Sequence, residues 1–263
     1  MSVISIEAPI IPLIDSLLFW REYLKKDIRD VDIELNAEGK CKYCLGAGRL
    51  IAFPNDQTIR CICALKEMEA DLIESLRKLR TSYTHGNIDS LEPWGPQDSR
   101  AQILAFKRTI HLWEDFPTKW MTIASYPGTG KTVALTWLAD RFYPWALYMT
   151  EGELEELVYR ALEEKEYEVS IGLIKRVPIL LLDDLGSSHS SPFLVSSLRK
   201  IIDARYLLHN EKLTVVATNL DRQQLREWDP RIADRILDQD QTILVSLGKV
   251  KSWRVRDANA KTS

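Results

Sequence analysis

The chain has 263 residues, enough for one α/β domain of about 170 residues and a smaller module beside it. Hydrophobic residues make up 45% and charged residues 28%, a balance that excludes a disordered chain. Lys and Arg number 35 against 38 Asp and Glu, so the net charge is −3 and any contact with nucleic acid must come from a local patch. No apolar run approaches the roughly 18–20 residues of a spanning helix, and residues 177–182, the longest clean run, are strand-sized. Residues 1–20 are fairly apolar, yet they lack a basic start and carry Glu7 and Asp15, which argues against a signal peptide. A cytoplasmic protein with no membrane segment is expected.

In chain order, the first element is an amphipathic helix from Ser16, with Asp15 or Ser16 as its N-cap. Four cysteines follow, Cys41, Cys44, Cys61 and Cys63, and no other position holds one. Cytosolic chains rarely keep disulfides, whereas thiolates in a C-x2-C and a C-x-C pair suit a tetrahedral Zn²⁺. Redox pairs or unrelated buried cysteines are the alternatives. Gly46 and Gly48 let the backbone turn and aim amides at the sulfurs. Four sulfurs close the coordination sphere, so the zinc would be structural. A second amphipathic helix runs from Cys63 to about Arg80, giving the order helix, zinc turn, helix. The apolar faces of these helices serve either to pack on the knuckle or to dock a partner. Gly86, Pro93, Gly95 and Pro96 then mark an irregular connector, so the domains are read as residues 1–80 and 81–263.

The second domain opens with a helical stretch over 102–113 and a strand over 119–124. Ser125-Tyr-Pro-Gly-Thr-Gly-Lys-Thr comes directly after, followed by a helix over about 132–142. Strand, glycine loop and helix in that order form the setting of a phosphate-binding loop. Pro127, Gly128, Thr129 and Gly130 shape a cradle of backbone amides, Lys131 reaches the β- and γ-phosphates of ATP, and the Thr132 hydroxyl ligates Mg²⁺. Ser125 stands where the strict pattern has glycine. Val177-Pro-Ile-Leu-Leu-Leu-Asp-Asp-Leu-Gly is a buried strand ending in paired carboxylates, with Asp183 for Mg²⁺ and Asp184 for the attacking water. A strand over 213–219 ends in Thr218 and Asn219, whose amide can reach the γ-phosphate or its water. Arg231 and Arg235, four apart, share one face of a helix, and a last strand spans about 241–247.

These motifs resemble those of AAA+ ATPases, specifically the bacterial and phage replicative helicase loaders of the DnaC/DnaI type, and of their relatives, the IstB transposition helpers. The resemblance covers residues 81–256 and rests on Pro-Gly-Thr-Gly-Lys-Thr, Leu-Leu-Leu-Asp-Asp-Leu-Gly, Ile-Ile-Asp-Ala-Arg-Tyr at 201–206, Ala-Thr-Asn-Leu and Arg-Ile-Ala-Asp-Arg-Ile. It implies an α/β fold with a five-stranded parallel sheet of order 5-1-4-3-2. It also implies that Asn219 is similar to sensor 1, Arg235 to an arginine finger given to a neighbouring subunit, and Arg254 to sensor 2. Only 18 residues follow Val245, so the helical lid of most AAA+ proteins is expected to be absent. The implied function is ATP-dependent loading of a hexameric replicative DNA helicase onto single-stranded DNA, with self-association through ATP-site interfaces and the zinc module gripping the helicase. An IstB-like transposase helper, or a zinc adaptor with weak hydrolysis, are the alternatives. For DNA, the glutamate-rich segment 150–168 would repel phosphates, and Lys175, Arg176, Lys249, Lys251, Arg254 and Arg256 are the better candidates.

Overall fold

The computed structural model describes residue 16 and residues 32–52, 57–92, 97–186, 190–248 and 250. The helix expected from Ser16 onward lies outside the described residues, Ser16 itself being helical and buried. Arg254 and the basic positions 249, 251 and 256 lie outside them too, as does the expectation of an absent lid. No helix among the described residues is long and apolar enough to cross a membrane.

The chain divides into two compact units, Met1–Ser75 and Leu76–Ser263. In the first, the Asn36 side chain accepts the amides of Glu38 and Lys40 and closes a turn that bridges Leu35 to Cys41. After the first cysteine pair, Arg49–Ala52 (β1) and Gln57–Arg60 (β2) form an antiparallel hairpin in register Arg49 with Arg60. Helix α1, Ile62–Leu76, starts directly after Cys61. The reading of helix, zinc turn and helix did not contain this hairpin, which is what closes the gap between the two cysteine pairs. Its open end is fastened by the Cys61 amide donating to the Gly48 carbonyl at 2.9 Å.

The second unit holds a five-stranded sheet. Its elements are α2 (Gln97–Asp115), β3 (Trp120–Ala124), α3 (Lys131–Arg141), β4 (Ala146–Thr150), α4 (Glu151–Glu163), α5 (Tyr167–Arg176), β5 (Ile179–Leu185), α6 (Pro192–Tyr206), β6 (Leu213–Thr218), α7 (Arg222–Trp228), α8 (Pro230–Ile236) and β7 (Thr242–Ser246). The order across the sheet is β4-β5-β6-β3-β7 and every pairing is parallel. Counted from β3, this is the expected order 5-1-4-3-2. The inner strands are covered on both faces: β6 is buried at every residue, which accounts for its largely apolar, β-branched sequence Leu213-Thr-Val-Val-Ala.

Topology dictates where a ligand can sit. From β3 the chain crosses through α3 to β4, at the far side of the sheet, and then steps back through β5 and β6 to β7. Right-handed crossovers in opposite directions put their helices on opposite faces. The chain therefore leaves the neighbouring strands β3 and β6 toward different faces, and a crevice opens at their C-terminal ends. The loop of residues 125–130 and residue Asn219 both begin there.

Candidate functional site

At the end of β3 the Ser125 amide donates to the Thr218 carbonyl at 3.1 Å, so the loop entry is still tied to β6. Ser125 is not among the residues with positive φ, whereas Gly128 (φ 77°) and Gly130 (φ 97°) are. Glycine is thus needed at the latter two positions for backbone shape, and the serine at the loop entry imposes no strain. At Gly130 there is a second reason, because a Cβ would come within 2.6 Å of Leu91. Gly130 is also the N-cap of α3 and brings no side chain to it, so no side-chain cap competes at the first-turn amides for an anion.

Lys131 is buried, and its ammonium donates to the carbonyls of Ser125 (2.7 Å) and Tyr126 (2.9 Å) and to Asn219 Oδ1 (2.8 Å). The Asn219 amide nitrogen lies 3.5 Å from Asp184 Oδ1. Thr129 turns its hydroxyl inward onto the Tyr126 carbonyl. Asp183, fully buried at the tip of β5, accepts the Asp184 amide on Oδ1 (2.9 Å) and the Tyr148 hydroxyl on Oδ2 (3.1 Å). Burial pushes its carboxyl above the usual aspartate range, against which the Thr132 hydroxyl bond works. Thr132 and Asp183 thus offer a hydroxyl and a carboxylate, the oxygen types that a Mg²⁺ ion and its waters take. Asp184 sits at a bulge between β5 and β6 with φ 55°, a left-handed backbone that turns the chain out of the strand.

These residues enclose a cleft of 370 Å³ lined by Ser90, Leu91, Pro127, Gly128, Gly130, Lys131, Thr132, Val133, Asp184 and Asn219. The stretch before α2 forms one wall. Gly86 lies so close to α3 that a Cβ there would meet the Val133 carbonyl at 2.3 Å, and Leu91 lies against the loop at Gly130. A larger cleft of 580 Å³ opens on the other side of Ser125 and Tyr126, against β7 and the start of α7. The glycine-loop residues line the smaller one, where Lys131, Asp184 and Asn219 converge, with Asp183 buried next to Asp184.

Two expected residues stand apart. Arg254 is outside the described residues. Arg235, on α8, does not line the cleft: its Nη1 lies 2.9 Å from Asp234, its Nε 3.7 Å from Asp203 on α6, and its guanidinium is stacked 4.7 Å from the Tyr206 ring. Arg231 reaches the same Asp203 at 2.6 Å. Sequence reasoning missed Tyr148 and the strand that carries it. The signal was present in Ala146-Leu-Tyr-Met-Thr, an apolar run closed by a capping box between Thr150 and Glu153. Segment 150–168 is also less of an acidic surface than its composition implies. Glu153 is spent on that cap, and buried Glu151 accepts the Gly186 amide and the Ser190 hydroxyl.

In the first unit the four sulfurs lie within 4.8 Å of one another. Cys41 and Cys61 are 3.7 Å apart and Cys44 and Cys63 3.4 Å, far beyond a disulfide. Tetrahedral zinc with Zn–S near 2.3 Å needs edges of about 3.8 Å, so the donor set and its spacing fit that ion. Burial works against the Cys44 thiolate, but the Gly48 and Gly46 amides and the Cys63 and Cys61 thiols bring it down to about 7; the Gly48 amide is 3.3 Å from the sulfur. Burial alone dominates at Cys61 and pushes its thiol up.

No protein-family model matches the chain and no curated protein matches its sequence. Among solved structures, the crystal structure of the DnaC helicase loader aligns with a TM-score of 0.52 at 20% identity, covering 62% of this chain and 97% of that one. DnaI aligns at 0.46 and 19%, covering 67% and 90%. AMPPCP-bound DnaA from Aquifex aeolicus aligns at 0.48 and 21%, covering 62% and 49%, so the chain spans about half the length of that replication initiator. At such identities the likeness is one of fold: the second unit has the five-stranded parallel α/β sheet, as in the DnaC helicase loader.

Proposed function

We propose that this protein is an ATP-binding and ATP-hydrolysing AAA+ switch that loads a hexameric replicative helicase onto single-stranded DNA. The observation that carries the ATPase reading is the convergence of Lys131, Asn219 and Asp184 on one glycine loop at the β3–β6 crevice, with Asp183 buried next to Asp184. In this reading the amides of Gly128 to Thr132 hold the phosphates and Lys131 neutralises the β- and γ-oxygens. Thr132 and Asp183 would hold Mg²⁺, which would neutralise negative charge on the phosphates. Asp184 orients and deprotonates the water, and Asn219, already between Lys131 and Asp184, keeps the two in register. Arg235 serves the site of a neighbouring subunit, and Arg254 contacts the nucleotide of its own.

Residues 1–80 form a zinc-stabilised module that grips the helicase, and residues 81–263 form the ATPase. The zinc is structural, held by Cys41, Cys44, Cys61 and Cys63. The loader reading is supported by the likeness in fold to the DnaC helicase loader together with the four-cysteine module. The test is a pull-down of the full chain with a purified replicative helicase, with ATP and with ADP, beside a turnover assay. Nucleotide-dependent capture with turnover supports it. Turnover without capture, or capture of a transposase instead, rejects the loading step while keeping the ATPase.

A further inference from the structure

One buried polar group near the cleft has no part in the chemistry described above. Tyr148 is in the middle of β4, beside Leu181 of β5, and only 7% of it is exposed. Its ring alone would fill this place as well as phenylalanine, and burying a hydroxyl costs free energy unless it is used. The hydroxyl is used: it donates to Asp183 Oδ2 at 3.1 Å.

The ring is itself held from behind. Tyr83, in the stretch that walls the cleft, packs on it with centroids 5.0 Å apart at 55°. Tyr83 is fixed in turn by donating to Asp140 Oδ1 at 3.0 Å, and Asp140 is in contact with His85 Nδ1 at 2.8 Å. Asp183 is therefore constrained at both oxygens, one by a backbone amide and one by a clamped phenol, with the Thr132 hydroxyl as a further partner.

We propose that Tyr148 is a positioning residue for the cation-holding carboxylate: its hydroxyl fixes the rotation of Asp183 so that the carboxylate meets a divalent cation together with Thr132. The inference rests on the reading above, in which Asp183 and Thr132 hold Mg²⁺. Groups that orient a metal ligand in this way typically contribute 10–100-fold to metal affinity.

The experiment is a titration of a fluorescent ATP analogue into wild type, Tyr148→Phe and Tyr83→Phe, each over a series of Mg²⁺ concentrations and in chelator. Tyr148→Phe keeps the ring and loses only the hydroxyl. Its affinity in chelator should stay within about twofold of wild type, while the Mg²⁺ concentration for half-maximal tightening should rise about tenfold. Tyr83→Phe keeps the backing ring and should leave the Mg²⁺ requirement unchanged. An unchanged Mg²⁺ requirement in Tyr148→Phe overturns the proposal. Equal rises in both variants, or equal losses of affinity with and without Mg²⁺, overturn it in favour of packing. A wild-type protein whose affinity ignores Mg²⁺ overturns the parent reading and this one with it.

Discussion

Lys131 Nζ stands 2.8 Å from Asn219 Oδ1, and this contact joins the glycine loop after β3 to the end of β6 across the switch point of the sheet. Asn219 touches Asp184 with its other arm. The two residues should therefore separate cleanly by phenotype. Lys131→Ala removes a buried cation and should weaken ATP binding by about 30–100-fold, the size of a charge-assisted contact worth roughly 2–3 kcal/mol. Asn219→Ala should keep affinity within a few-fold and lose about 10–100-fold in turnover. Fluorescent-nucleotide titration and phosphate release measure the two; near-normal affinity in Lys131→Ala would refute the phosphate-loop assignment.

Asp184 offers a substitution that spares the backbone. Its φ of 55° disfavours most side chains, but asparagine enters the left-handed region readily. Asp184→Asn should fold, bind MgATP and hydrolyse it about 10²–10⁴-fold more slowly, the ordinary contribution of a general base. Wild-type turnover would show that this carboxylate does not handle the water.

Asp183 is a stability cost as well as the proposed cation ligand. A carboxyl whose pKa is raised by burial binds its proton more tightly in the folded state than in the unfolded one. Its contribution thus favours folding below the unfolded pKa and is lost as pH rises through the folded value. Above that value the buried charge is a burden, of the kind functional sites tolerate. Asp183→Asn should therefore melt higher than wild type at pH 7 in chelator, by about 2–4 °C per kcal/mol relieved. The gap should close toward pH 4. An equal or lower melting temperature for the variant at pH 7 would contradict the burial argument.

The cysteine cluster predicts one zinc per chain by elemental analysis and loss of helix α1 signal on chelation, since metal binding in small modules supplies folding energy. Ligation releases thiol protons, so zinc retention should weaken as pH falls. Metal-free protein with an intact first unit would remove zinc from the account.

The sheet order was legible only through the resemblance carried by the motifs that follow the strands, as in Leu180-Leu-Leu-Asp-Asp. The hairpin Arg49–Ala52 with Gln57–Arg60 was not. Each of its strands is four residues long, and the fold around them depends on four sulfurs that come together only in three dimensions. The same limit hid Tyr148, whose hydroxyl acts on a residue 35 positions away, and the Asp203 contacts of Arg231 and Arg235. The glycine expected in place of Ser125 illustrates the reverse case: the pattern asks for it, but this backbone has no positive φ there to require it.

Those Asp203 contacts frame the last prediction, that hydrolysis belongs to an assembly. The cleft is lined by one lysine, one aspartate, one threonine and one asparagine beside the glycine loop, and no arginine is among the residues lining it. Arg235 sits on α8, packed on α6, where Asp203, Asp234 and the Tyr206 ring hold its guanidinium. About a third of its side chain remains exposed (34%), and it is not among the residues lining its own cleft. An arginine supplied across an interface is worth about 10³–10⁵ in phosphoryl-transfer rate. Arg235→Ala should therefore lose turnover and keep ATP affinity. Mixing it with Lys131→Ala, each inactive alone, is the decisive arrangement. In a head-to-tail assembly formed at random from equal amounts, about a quarter of the interfaces pair an intact loop with an intact arginine. Activity should return to about that fraction of wild type. If size-exclusion chromatography shows that the two variants co-assemble and no activity returns, Arg235 acts within its own chain or only as part of the α6–α8 contact, and hydrolysis across an interface is excluded.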